Sequence, residues 1–219
     1  MTKDSETKEI ATSATHHELQ YQRKLFPIEI VDIYPCQQDS ADLKSIGTGR
    51  NNKEYAIKRV SDSPNGFIPA SELFCYELAR QVNIATPDFD ILQLQGDELA
   101  FGSVWEGGVH KLSNDNKIID LLEGNLKVNN IEQFFSKVYG FDLFINNIDR
   151  HFGNYLFRSS FSYFIAMAFD FSRAWLEIDS SGLQVTQPSC NTQLVFKTLK
   201  QFKKISLNPI QSTLDDLSK

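Results

Sequence analysis

What the chain lacks narrows its chemistry. Only three cysteines occur in 219 residues, Cys36, Cys75 and Cys190, and none belongs to a CxxC pair. A zinc site or a disulfide framework needs more sulfur at closer spacing, so the expectation is reduced, buried thiols in a cytoplasmic protein. No basic-then-apolar leader opens the sequence. Its longest apolar runs, about eight residues, fall far short of the ~20 that cross a bilayer, so no membrane partner is expected. Positive charge is not in excess either. With 22 Lys and Arg against 28 Asp and Glu, the net charge is −6, which argues against nucleic acid as a direct partner.

What is present is a 41% hydrophobic composition, enough for one domain with a sizeable core or two small lobes sharing a cleft. Residues 1–24 are polar and charged and are expected to form a flexible arm. His16 and His17 sit there, but neighbours on a helix point ~100° apart and no further ligand lies nearby, so they read as solvated surface. From Phe26 onward the period is two. Pro27–Ile33 and Tyr55–Val60 alternate as strands, with the glycine-bearing segment Ser45-Ile-Gly-Thr-Gly-Arg50 read as a turn between them. Such a turn is either an ordinary hairpin or, with Gly47 and Gly49, a place where backbone N–H groups approach phosphates. Lys58 stands on the following strand and needs an acid. On the helix opening near Pro69, whose apolar face comprises Phe74, Cys75, Leu78, Ala79 and Val82, Glu72 falls at the edge of the face and Glu77 farther round near Arg80. Glu72 is therefore the expected partner.

Phe89–Leu94 and Glu98–Trp105 supply further strands, and Gly107-Gly108 is the expected hinge. Glu106 is the candidate for adenine contact, and Trp105 either lines that site or belongs to the core. Beyond it the period becomes about 3.6. Residues 118–122 and 131–146 are expected helices, the second weakened near Tyr139-Gly140. An apolar run then stops at Asn146-Asn-Ile-Asp-Arg-His151 and resumes at Tyr155-Leu-Phe157, which reads as helix, polar loop, strand. Asp149 and Asn154 have the spacing of a kinase's catalytic acid and its metal-binding amide, and Asp170-Phe171-Ser172 stands where kinases carry Asp-Phe-Gly. Ser159-Ser160 is the expected turn bringing Asp170 back towards Asn154. His151 reads as a loop organiser, since no nucleophile elbow supports a Ser172–His151 hydrolase. Arg150 either neutralises phosphate or pairs with an acid as part of the same loop. Only 49 residues follow Asp170, too few for a long activation segment and peptide platform. The helix expected over Asn191–Lys204 carries Lys197, Lys200 and Lys204, a solvated face or a docking surface for an acidic partner.

The Lys of Tyr55-Ala-Ile-Lys-Arg59, the segments Pro69–Arg80, Ile84-Ala-Thr-Pro87 and Phe101–Gly108, the loop Asp149–Asn154 and Phe169-Asp-Phe-Ser172 together resemble the HipA-like kinases, in their compact branch, over roughly residues 27–176. The resemblance implies an α+β, small bilobal protein-kinase-like fold. Its N-lobe, an antiparallel sheet with one helix, would span 25–106, and a reduced helical C-lobe 107–219. It implies ATP and Mg2+ as cofactors, held by Lys58, Glu72, Gly47, Gly49, Glu106, Asn154 and Asp170, with Asp149 catalytic. It further implies Ser/Thr protein phosphorylation, translation proteins as substrates, an antitoxin-type regulator, and autophosphorylation in the glycine-rich segment, for which Ser45 and Thr48 are the candidates. A phosphoinositide-kinase-like enzyme, which shares Asp-Arg-His, and a nucleotide-binding pseudokinase are the alternative readings.

Overall fold

Short, β-branched and aromatic segments make the first half of the protein. A computed structural model describes residues 26–219 apart from 37–42, 63–64, 106, 108, 113–114, 175 and 178–181. The expected arm over 1–24, with His16 and His17, and the expected contact at Glu106 lie outside the described residues. Ile28–Pro35 (β1), Ser45–Gly49 (β2), Glu54–Lys58 (β3), Phe89–Gln93 (β4) and Leu99–Val104 (β5) are strands. They run in the order β1-β2-β3-β5-β4 and close into a barrel. This corrects the expectation of an antiparallel sheet. Four junctions are antiparallel, but β1 and β4 close the ring in parallel through Ile28↔Leu92 and Glu29↔Gln93.

Closure leaves little room inside. Ile30, Tyr55, Ile57, Leu92, Leu94 and Ala100 fill the barrel. A Cβ on Gly47 would lie 2.6 Å from Ile57 Cδ1 and 2.9 Å from Ile30 Cγ2, and one on Gly49 would lie 2.9 Å from Ile28 Cγ2. The segment Ser45–Gly49 is thus a strand rather than the expected turn, and its glycines answer a packing need. The Gly49 N–H donates to Lys53 O at 2.9 Å, so it is already engaged within the ladder.

Ile68–Gln81 (α1), with a proline in its first turn, crosses the barrel and buries Ile68, Ser71, Glu72, Cys75, Tyr76 and Ala79. Phe74, expected on that face, is 39% exposed. The buried side is rotated towards Glu72 and Tyr76 because the segment after Asp170 packs there: the Tyr76 and Phe171 ring centroids are 5.4 Å apart, edge to face.

The second half adds Val109–Lys111 (β6), Tyr155–Ser160 (β7) and Tyr163–Ala168 (β8) as one antiparallel sheet, with helices Asp115–Glu123 (α2), Ile131–Phe144 (α3), Asn191–Gln201 (α4) and Leu207–Leu217 (α5). The β7–β8 turn falls at Phe161-Ser162, not at Ser159-Ser160, and Phe161 takes φ 46°. Gly140 does not break α3. A Cβ there would sit 2.9 Å from Ile210 O, so the missing side chain lets α5 cross α3 closely. Phe89 and Phe101 of the barrel, Tyr76 of α1, Phe135 and Phe141 of α3, Phe157 of β7 and Phe171 belong to one hydrophobic cluster. Cys75 and Cys190 are buried free thiols as expected, whereas Cys36 is partly exposed. Among the described residues, no helix is long and apolar enough to cross a membrane.

Candidate active site

The centre of the site is a lysine on β3. Lys58 is 6% exposed and pairs opposite Phe101 of β5. Its ammonium bonds Glu72 Oε1 of α1, Asp170 Oδ1 at 2.6 Å and Ser172 Oγ at 2.6 Å. The Ser172 hydroxyl lies 2.9 Å from Glu72 Oε1 and 2.7 Å from Asp170 Oδ1. Glu72 Oε1 also accepts the Phe171 N–H at 3.1 Å. One cation and two acids thus share a cluster in which Lys58 and Glu72 are buried and Asp170 is partly exposed. Burial disfavours the Lys58 ammonium, but the Asp170 and Glu72 carboxylates outweigh it and hold its pKa above the ordinary value. Burial likewise opposes the Asp170 charge, and Lys58 overcomes it, leaving that carboxyl well below its usual range. Glu72 goes the other way. Fully buried and beside a second acid, its carboxyl is raised, and among the described residues its Oε2 has no hydrogen-bond partner.

The loop before β7 is pinned by a residue with no access to solvent. Arg150 is 1% exposed. Its Nε donates to Asp142 Oδ2 at 2.9 Å and its Nη2 to Asp142 Oδ1 at 3.0 Å. Its Nη1 reaches Asn154 O at 3.3 Å and Phe169 O at 2.6 Å. The guanidinium lies 4.8 Å from the Phe171 ring centroid. Of the two readings for Arg150, pairing with an acid is the one present. Burial disfavours its charge, and Asp142 restores it, so the pKa stays above the ordinary value. His151 Nδ1 accepts the Gly153 N–H at 3.1 Å and so caps the short helical turn Phe152–Asn154.

Asp149 and Asn154 follow from that pinning. Asn154 Nδ2 donates to Asp149 O at 3.2 Å, and among the described residues its Oδ1 accepts nothing. Asp149 Oδ1 accepts from Asn191 Nδ2 at 2.6 Å, which ties it to the first residue of α4. A cavity of about 420 Å³ opens beside it, lined by Ile148, Asp149, Arg173, Ser189 and Asn191 among others.

These donors fit a hard cation. The Asn154 amide oxygen and the second Asp170 oxygen are left open by the bonds above, and the Lys58 cluster holds an excess of negative charge. No group of three or more His, Cys, Asp or Glu able to hold a metal occurs among the described residues. A cation there would need oxygens from its ligand, as Mg2+ bound to phosphates has.

Among the expected residues, then, the structure joins Lys58, Glu72 and Asp170 in one cluster, and Asp149, Arg150, His151 and Asn154 in one loop. Among the described residues, no hydrogen bond joins Ser45, Gly47, Thr48 or Gly49 to either group. Trp105 is half-buried, and its backbone N–H donates to Glu54 O at 2.7 Å. The sequence reading missed Asp142, Ser172 as a cluster member, Glu177 and Asn191. Asp142 alone had a readable signal, a single acid in the apolar run Phe141-Asp-Leu-Phe144.

No protein-family model matches the chain, and no curated protein matches it in sequence. Among solved structures, the crystal structure of a Helicobacter pylori proinflammatory kinase, CtkA, is similar, with a TM-score of 0.52 and 16% identity over 87% of each chain. At that identity the likeness concerns the fold, which is kinase-like.

Proposed function

We infer that the protein is an ATP- and Mg2+-dependent phosphotransferase acting on a hydroxyl acceptor, with a protein Ser or Thr as the first acceptor class to test. One observation carries the reading: a buried strand lysine bonded both to a helix acid, Glu72, and to Asp170. That linkage is what a nucleotide-phosphate site requires of its three elements. The boundary between an ATP-binding part over 25–106 and a catalytic part over 107–219 is part of the same proposal.

In this reading Lys58 turns towards the nucleotide phosphates while Glu72 keeps it in place. Asn154 and Asp170 would hold Mg2+ together with the nucleotide, and the ion would supply neutralisation of the phosphate charge. Asp149 orients the acceptor hydroxyl, which enters through the cavity beside it. As the hydroxyl oxygen bonds the γ-phosphorus, the bond from that phosphorus to the ADP oxygen breaks and the hydroxyl proton passes to Asp149. Asn191 holds one oxygen of that carboxylate and leaves the other for the acceptor. Most of the rate then comes from positioning and charge, not covalent chemistry. Ser45 and Thr48, half-buried on β2, are the positions proposed for self-modification.

The test is intact-protein mass after incubation with MgATP, followed by peptide mapping. Wild type gains phosphate, and Asp149→Ala and Asp170→Asn do not. If wild type neither gains phosphate nor hydrolyses ATP or modifies supplied protein acceptors, the reading fails. Gain at sites other than Ser45 and Thr48 refutes only the self-modification.

A further inference from the structure

Helix α1 brings Glu72 to Lys58, yet its own sequence, beyond a proline in the first turn, supplies no side-chain hydrogen bond to its leading N–H groups. Its N-cap residue Phe67 makes no side-chain capping bond, and its first turn carries no acid. The bonds come instead from a residue 110 positions away. Glu177 is 1% exposed. Its Oε2 accepts the Phe67 N–H at 2.9 Å and its Oε1 the Asn65 N–H at 3.1 Å. Gly66 between them is left-handed at φ 81° and Phe67 is right-handed, a backbone concavity that turns N–H groups towards one anion. A buried carboxylate in such a place is held by charge-assisted bonds and by the positive end of the helix.

Glu177 is also coupled to Asp170. The Glu177 N–H donates to Ala174 O at 2.9 Å and the Ala174 N–H to Phe171 O at 3.2 Å, so two hydrogen bonds link Glu177 through Ala174 to Phe171. At the near end, Ser71 Oγ donates to Phe171 O at 3.1 Å and the Phe171 N–H meets Glu72. The helix is thus fastened to the segment after Asp170 at two levels, about five residues or ~7 Å apart along its axis.

We propose that Glu177 is a positioning residue that clamps the start of α1 in the place where Glu72 meets Lys58. A phosphate added to the segment after the metal-binding acid commonly supplies an anion that orders a kinase site. Here the anion is built into the chain, so the site assembles without that modification.

The test uses full-length Glu177→Gln, which keeps the volume and removes the charge, beside Glu177→Ala. The clamp rests on the kinase reading for its rate effect but not for its structural effect, so two readouts are needed. In hydrogen exchange, both variants should speed exchange of α1 amides 70–75 at least about tenfold while α3 amides 131–144 keep their wild-type rates. In phosphoryl transfer, both should lose at least about tenfold in kcat with KM for MgATP within about threefold of wild type. Wild-type α1 exchange in the variants, or equal acceleration in α3, overturns the clamp. So does an unchanged kcat when wild type is active. If wild type transfers no phosphate, the kinase reading falls, and exchange alone decides whether Glu177 holds α1.

Discussion

Arg150 shows how much one buried charge constrains the site. Its two-pronged pairing with Asp142 offsets the cost of taking a guanidinium out of water, and its remaining donors tie the carbonyls of Asn154 and Phe169 together. Removing the acid leaves the cation stranded. Asp142→Ala should therefore cost roughly 3–5 kcal/mol of unfolding free energy, measured by urea denaturation. A loss under about 1 kcal/mol would mean that Arg150 finds water or another partner. Residue-scale legibility was uneven for a physical reason. Lys58, Asp149, Asn154 and Asp170 stand out because each is polar at the edge of an apolar run. Glu72 was placed by helical angle, with the HipA-like resemblance pointing to the same residue, and the structure pairs it with Lys58, though it lies at the centre of the buried face. Glu177 carries no such mark, since the Asn65 and Phe67 groups it accepts from are backbone N–H groups, which leave no trace in residue type.

At the scale of elements, α3 and α5 meet through an absence. Gly140 ordinarily weakens a helix by about 1 kcal/mol relative to Ala, so Gly140→Ala would stabilise α3 in isolation. In the folded protein the new methyl meets backbone at Ile210 rather than a side chain that can turn aside. Overpacking of that kind costs about 1–3 kcal/mol, and the variant should be less stable than wild type in the same denaturation assay. A gain in stability would show that α5 can shift at little cost. The sequence showed Gly140 as a weak point because the only reference it offered was the helix itself. It gave no warning of α5, or of the parallel seam between β1 and β4, since pairing between distant strands leaves no local period. The glycines of β2 misled in the same way: a turn and a crowded barrel wall both call for a residue without a Cβ.

Across the whole molecule, the barrel, α1, the loop at Arg150 and α3 share one apolar cluster around Phe171. The rings of Tyr76 and Phe141 both meet Phe171 edge to face, at 5.4 and 5.6 Å. Unfolding should accordingly be a single cooperative event. Far-ultraviolet circular dichroism and tryptophan fluorescence should give coincident urea transitions, and two separated midpoints would show that the halves melt independently. MgATP binding at the proposed site should move that transition, since a ligand at about 100 times its Kd adds ~2.7 kcal/mol. Lys58→Met should abolish most of the shift, and an undiminished shift would place the nucleotide elsewhere. The closed barrel carries one more consequence, for the behaviour of the protein in a crowded solution. An open five-stranded sheet ends in two rows of unpaired N–H and C=O groups, which recruit strands from other chains. Because β1 and β4 occupy each other's free sides, even by two residue pairs, the N-terminal sheet offers little template for such recruitment. In the second sheet the outer side of β8 is partly taken by residues 127–129, which bond Phe164 on both its N–H and its C=O, so among the described residues β6 is the more open edge.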